Sequence, residues 1–551
     1  MLAGLAGCGS SGSGSGNNSG TSGGTSNGAA SSLGNSGANN GGSDASSAGN
    51  AGAGGTSSGG SSAGQAGSAS GGTAAGGSAG AGGGSAGGGD VTLQPRDFPY
   101  CDYGNVPSAT PPAPWDDNPT LTPLGVNPFG APALTIPVGY ILLNEGPQGT
   151  TQVPQDTQSS ILQRINDDLK FELSYSYLHL PPWTTGAKGG THYIDYMFVA
   201  TGFPKDPNAG GDQGTEQQYP DVETTSVAMT DQSQRFDLTH EFNHVLQSSY
   251  GTFPGNRISW LHESYNDYLI MLTAEHAAGV TPGQSAQFTL PNNISYLDVL
   301  TYQQNYAPIE SCGIAVKDGS MVNGPADFPT DITGFRYNDL FPLFIAQRVG
   351  QHFFADVWEQ ANGKEQVLAV MTRLLDQARV SCMVGEYSAR LALGDFGEFS
   401  TSIQKIARDP AMYTALTMQN GSYSPSNTTW LPRYTGRNMI PITVASGATE
   451  VSVDFTPDAA GSAGSPEQMQ IELVYRATDG SAVFGQPVTT GNATVSLSKP
   501  PKNNVVIAVI TNITFSGYKN AQSYGWDPNE TFGYTLQITG GTPAPVTKTY
   551  F

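Results

Sequence analysis

The chain has 551 residues, 72 of them glycine and 37 proline, with 12% charged residues and a net charge of −22. An acidic surface excludes nucleic acid as a partner, because binding to phosphates is driven by cationic groups that displace counterions. It also disfavours electrostatic docking to an anionic membrane, and no run approaches the roughly 18 consecutive apolar residues of a membrane-spanning helix.

Residues 1–90 hold 33 of the glycines, no proline and no lysine or arginine, and Asp44 and Asp90 are their sole charges. Such a stretch buries too little apolar surface to offset its ordering entropy, so a disordered linker is expected over 9–90. As a Gly/Ser coil it would span about 50 Å. Ahead of it, Leu5-Ala6-Gly7-Cys8 resembles the lipobox of bacterial lipoproteins. The resemblance implies cleavage before Cys8 and lipidation of its sulfur. It further implies an extracytoplasmic protein on the bacterial outer membrane or cell surface, touching the membrane by its lipid anchor only. Seven residues precede Cys8, without a basic region or a full apolar core. Residues 1–8 therefore read as the remnant of a signal whose start lies upstream of Met1.

The rest of the chain supports one large unit and a smaller one. Residues 91–157 read as loops and strands, with an apolar run at 134–143. Ile161, Leu162, Ile165, Leu169 and Leu173 then recur at steps of three and four, which predicts a helix capped by Asp156 or Thr157. Strands follow at 192–201 and 225–230. Helical patterning dominates 237–407, with helices at 258–277, 338–349 and 366–378. After about residue 436 the period changes to two, as in Val451, Val453, Phe455 and in Met469, Ile471, Leu473, Tyr475. That pattern, split by turn-rich segments, predicts a β-sandwich over 436–545. Beyond Cys8 the cysteines are Cys101, Cys312 and Cys382. They permit one disulfide and one free thiol with the pairing open, and no CxxC pair supports a cysteine-based zinc or iron-sulfur site.

Chemistry concentrates at His240-Glu241-Phe242-Asn243-His244, a His-Glu-x-x-His sequence. On a helix, residues four apart share one face, so His240 and His244 can direct imidazole nitrogens at one metal ion. Glu241 projects beside them, where a carboxylate serves as general base toward a water. Catalytic zinc takes three protein ligands and leaves a position for water. A third donor is available in Trp260-Leu261-His262-Glu263-Ser264.

His-Glu-x-x-His, eighteen intervening residues and then Glu263 resemble the gluzincin metallopeptidases, specifically their aminopeptidase branch. Ser264 stands where many members carry glycine. The resemblance covers 237–268 and implies Zn²⁺ held by His240, His244 and Glu263, with Glu241 as the base. It also implies that Asp267, four residues after Glu263, accepts the hydrogen bond of His240 and so fixes its tautomer and raises its basicity. The implied fold class is α+β. A zincin-like catalytic domain, a mixed sheet followed by a mostly helical subdomain, would occupy 91–435, with the sandwich as an accessory domain.

A protein or peptide is the implied substrate, cleaved by attack of a water whose pKa zinc lowers to about 7. In gluzincins the peptide lies along an edge strand, for which 225–230 is the candidate. A tyrosine or histidine usually assists at the oxyanion; Tyr337 leads the candidates, followed by Tyr302 and Tyr306, each weighed against packing as a plain aromatic. His262 points away from Glu263 on a helix, while Asn243 and Gln247 divide evenly between supporting the site and forming a polar face. The competing reading is an inactive zincin-like surface lipoprotein acting as an adhesin or a carbohydrate- or protein-binding module. The sequence leaves the oligomeric state open.

Overall fold

The computed structural model describes residues 155–179, 259–277 and most of 340–550, the last with its longest breaks at 459–468 and 514–531. It also describes parts of 101–114, isolated positions between 243 and 250, and seven short strands between 136 and 323. The expected linker, Cys8 and Cys312 lie outside the described residues, as do Tyr302, Tyr306 and Tyr337.

The architecture is mixed α and β. Strands β1 (Ile136–Val138) and β2 (Ile141–Asn144) pair antiparallel, and β2 pairs parallel with β3 (Asp195–Phe198). A parallel pair needs a long crossover, and helix α1 (Gln155–Ser176) supplies it between β2 and β3, packing against β1 and β2. The apolar steps at Leu169 and Leu173 are buried as the period requires. Strands β4 (Gly214–Tyr219) and β5 (Val222–Val227) form an antiparallel hairpin, with β5 beside β3. Helix α2 (Ser259–Ala277) packs on α1. Within the stretch expected to be helical, β6 (Ile314–Lys317) and β7 (Ser320–Asn323) instead form a hairpin.

A helical layer follows: α3 (Leu340–Arg348), α4 (Phe353–Glu359), α5 (Val367–Leu375), α6 (Gln377–Leu393) and α7 (Ser400–Ile406). The apolar periodicity that predicts one helix over 366–378 runs across a break. Asp376 adopts φ 96° and its carboxylate accepts from the Arg379 backbone N–H at 2.9 Å, so it ends α5 and caps α6.

Ten strands build two five-stranded antiparallel sheets. They are β8 (Leu416–Gln419), β9 (Ser422–Pro425), β10 (Arg437–Val444), β11 (Glu450–Pro457), β12 (Met469–Arg476), β13 (Ala482–Phe484), β14 (Gly491–Ser496), β15 (Val505–Asn512), β16 (Tyr534–Thr539) and β17 (Gly541–Pro543). One sheet has the order β13-β12-β15-β10-β17 and the other β14-β11-β16-β9-β8. Period-two patterning is expected from about 436; the second sheet also takes in the hairpin β8–β9.

Burial differs between the sheets for a simple reason. On β11, Val451, Val453 and Phe455 face the sandwich core while Glu450, Asp454 and Thr456 face solvent. On β15 every residue is buried, because α6 covers the face turned away from the sandwich. Ile471, Leu473 and Tyr475 thus enter the core between the sheets, whereas Val474, Val505, Ile507 and Val509 join the core beneath the helices. A strand covered on both faces loses clean alternation.

The segment before the fold is fastened to α6. Cys101 and Cys382 form a disulfide across 281 residues of sequence, which settles the pairing. Tyr103 Oη donates to Glu386 Oε2 at 2.7 Å, and Arg379 Nε donates to the Asp102 carbonyl at 3.1 Å. Among the described residues no helix is long and apolar enough to cross a membrane.

Candidate functional site

Helix α2 is enclosed on nearly every side: Leu261, Ser264, Tyr265, Asn266, Tyr268, Leu269, Leu272 and Thr273 are all buried. A helix enclosed all round must find partners for its polar side chains, since an unpaired buried donor costs about 1–3 kcal/mol. Asn266 Oδ1 accepts from Gln247 Nε2 at 2.7 Å, and the single hydroxyl proton of Thr273 is shared between Glu172 Oε1 at 2.9 Å and the Leu269 carbonyl at 2.8 Å. Glu172, on α1, is itself fully buried and accepts from Asn243 Nδ2 at 3.0 Å through Oε2.

These contacts join the His-Glu-x-x-His segment to α2. Asn243, Leu246 and Gln247 are helical and buried. Asn243 reaches Thr273 through Glu172, whereas Gln247, one turn later, reaches Asn266, two turns earlier on α2. The two segments therefore run side by side in opposite directions. Asn243 and Gln247, left open between support and mere polarity by the sequence, are both inward and hydrogen-bonded.

The expected metal ligands His240 and His244, and the expected base Glu241, lie outside the described residues. Glu263 and Asp267 stand on the backbone of α2, one on each side of the buried Ser264-Tyr265-Asn266; their side chains lie outside what is described. Among the described residues no group of three His, Cys, Asp or Glu side chains is arranged to hold a metal.

Aromatic rings wall this region. Tyr175 and Tyr268 hydroxyls share a hydrogen bond of 2.6 Å, and burial pushes the pKa of both upward. Tyr265 packs against Tyr268 and Phe354, with ring centroids 6.0 and 5.3 Å apart, and burial raises its pKa as well. Such phenols stay protonated at neutral pH. Tyr250 follows Gln247 by three residues and its hydroxyl accepts from the backbone N–H of His179. The His179 ring lies 3.1 Å from Glu359 on α4. Nearby, burial together with the charge of Glu359 raises the Asp356 carboxyl to about 6.

Glu172 escaped the sequence reading, yet a signal was there. It follows Leu169 by three and Ile165 by seven, so it is an acidic residue on the apolar stripe of α1. An acid on such a stripe demands internal donors, which Asn243 and Thr273 provide.

A model of a protein family described as a family of unknown function (DUF6055) matches residues 333–544. That span takes in the helical layer and both large sheets and begins beyond the His-Glu-x-x-His segment and α2. No curated protein matches the chain.

Proposed function

We propose that this chain is an exported, lipid-anchored zinc peptidase whose zincin-like catalytic domain spans 91–435 and carries an accessory sandwich over 436–545. The observation that carries the reading is the antiparallel junction of two segments: the one holding His240, Glu241 and His244 is bound to α2, which holds Glu263 and Asp267, through Gln247–Asn266 and the Glu172 bridge. Two imidazoles and a carboxylate, with a position left for water, make a donor set that fits catalytic zinc.

His240, His244 and Glu263 would hold zinc, which would supply Lewis acidity toward the scissile carbonyl and toward the attacking water. Glu241 accepts the proton of that water and delivers it to the leaving amine. Asp267 orients the imidazole of His240 by accepting its other ring N–H. The buried tyrosines and apolar side chains around α2 exclude bulk water, which strengthens charge interactions at the site. Export is supported by the Cys101–Cys382 disulfide, because such bonds persist in oxidising compartments.

The deciding experiment is a peptide-library digest with purified protein, with and without a chelator, beside Glu241→Gln. Cleavage that vanishes in the variant while zinc content stays at one equivalent is expected. Unchanged turnover in Glu241→Gln overturns the role of that residue, and bound zinc without cleavage of any peptide turns the reading toward a binding module.

A further inference from the structure

Glu172 is enclosed on α1, and its two carboxylate oxygens are divided between two other segments: Oε2 serves Asn243 and Oε1 serves Thr273. Burying a carboxylate carries a desolvation cost of several kcal/mol that an apolar side chain would avoid. What the carboxylate adds is direction. Apolar contacts tolerate sliding, whereas donors on two helices that meet opposite oxygens of one carboxylate fix both the distance between the helices and their axial register. The Gln247–Asn266 contact at 2.7 Å repeats the constraint one turn along the His-Glu-x-x-His segment. Two polar ties at different levels leave a single register.

We infer that Glu172 is a positioning residue for the metal: by bridging Asn243, the neighbour of His244 in sequence, to Thr273 on the helix of Glu263, it sets the spacing on which zinc affinity depends. This inference rests on the proposed zinc site and names its supporting carboxylate. A metal site is demanding in this respect, since ligand distances must hold to within about 0.2 Å. In this scheme Glu172 acts through the two helices that it joins.

The polarity of the bridge supplies the test. In Glu172→Gln the introduced carbonyl can still accept from Thr273, and the Asn243 amide, whose Oδ1 has no partner among the described residues, can turn over to accept from the new NH₂ group, so both contacts survive. Asn243→Asp alone sets two carboxylates against each other, and combining it with Glu172→Gln lets the new amide donate to the new carboxylate, so that both hydrogen bonds return. Zinc dissociation constants of the full chain are measured by competition with a chromophoric chelator, alongside thermal unfolding of the metal-free protein. Asn243→Asp is expected to weaken zinc binding by about tenfold, Glu172→Gln alone to change it by less than about threefold, and the double variant to return within about threefold of wild type.

Wild-type zinc affinity in Asn243→Asp, with only metal-free stability lowered, means a structural role and overturns the inference. Failure of the double variant to recover affinity overturns it too. Should Asn243→Asp not fold, the double variant must restore folding and affinity together for the inference to stand. A wild-type chain that binds no zinc is a separate outcome, which overturns the proposed function itself.

Discussion

Gly385, in the middle of α6, lies against Gln470 of β12 so closely that a Cβ at this position would come within 2.0 Å of the Gln470 side-chain nitrogen. The missing side chain lets the helix settle on the sheet, and the sheet face below carries Gln470, Glu472, Val474 and Arg476 instead of an unbroken apolar surface. Gly385→Ala gains helix propensity but must displace the amide, and we expect a net loss of about 1–2 kcal/mol in unfolding by urea. Adding Gln470→Ala should return most of it; no recovery in the double variant would mean that contact with Gln470 is not what constrains the position.

Glu472 is buried beneath α6, and neither carboxyl oxygen has a hydrogen-bond partner among the described residues. Burial, with the charge of Glu386 adding to it and Arg390 opposing, holds its pKa well above the ordinary glutamate value. The folded state therefore favours the protonated acid. Its stability contribution is complete below the unfolded pKa of about 4.3 and is lost as pH rises from there toward the folded pKa. Glu472→Gln should match wild type in acid and become progressively more stable than wild type toward neutral pH. Parallel stability–pH curves for the two proteins would contradict this.

Asp395 binds two guanidinium groups, Arg390 at 3.1 Å and Arg476 at 3.4 Å, and all three side chains are buried. The pair of contacts links the end of α6 to β12. Removing Asp395 takes a carboxylate from both buried arginines, although Arg390 keeps Glu386 at 2.8 Å, so Asp395→Ala should cost about 3 kcal/mol. A loss below about 1 kcal/mol in chemical denaturation would show that water reaches the two arginines.

The Cys101–Cys382 bond closes a very long loop, and loop closure in the unfolded chain stabilises the fold by about 5 kcal/mol at such lengths. Cys101→Ser with Cys382→Ser should lower the melting temperature. Tyr103 and Asp102 hold the same segment to α6 through hydrogen bonds, so the segment should stay docked in the reduced protein. Rapid proteolysis near residue 101 at a temperature well below unfolding would show that the disulfide alone fastens it.

Asp267 is expected to orient His240. Asp267→Ala should weaken zinc binding by about tenfold to a hundredfold, with hydrolysis restored at saturating zinc. Activity that zinc cannot restore would instead give Asp267 a direct part in the reaction.

Much of this protein is written locally. The glycine-rich amino terminus, the acidic balance, the stripe that makes α1, the alternation on β11 and the spacing from His240 to Glu263 are patterns of composition and period, which a chain carries whatever it packs against. Tertiary structure decided the rest, because burial on a second face and pairing over long separations depend on which elements meet. The run at 366–378 looked like one helix until Asp376 broke it with a positive φ. β15 lost its alternation because α6 covers it, Cys101 found Cys382 across the helical layer, and Glu172 acquired its meaning from donors on two helices that approach it from remote parts of the sequence.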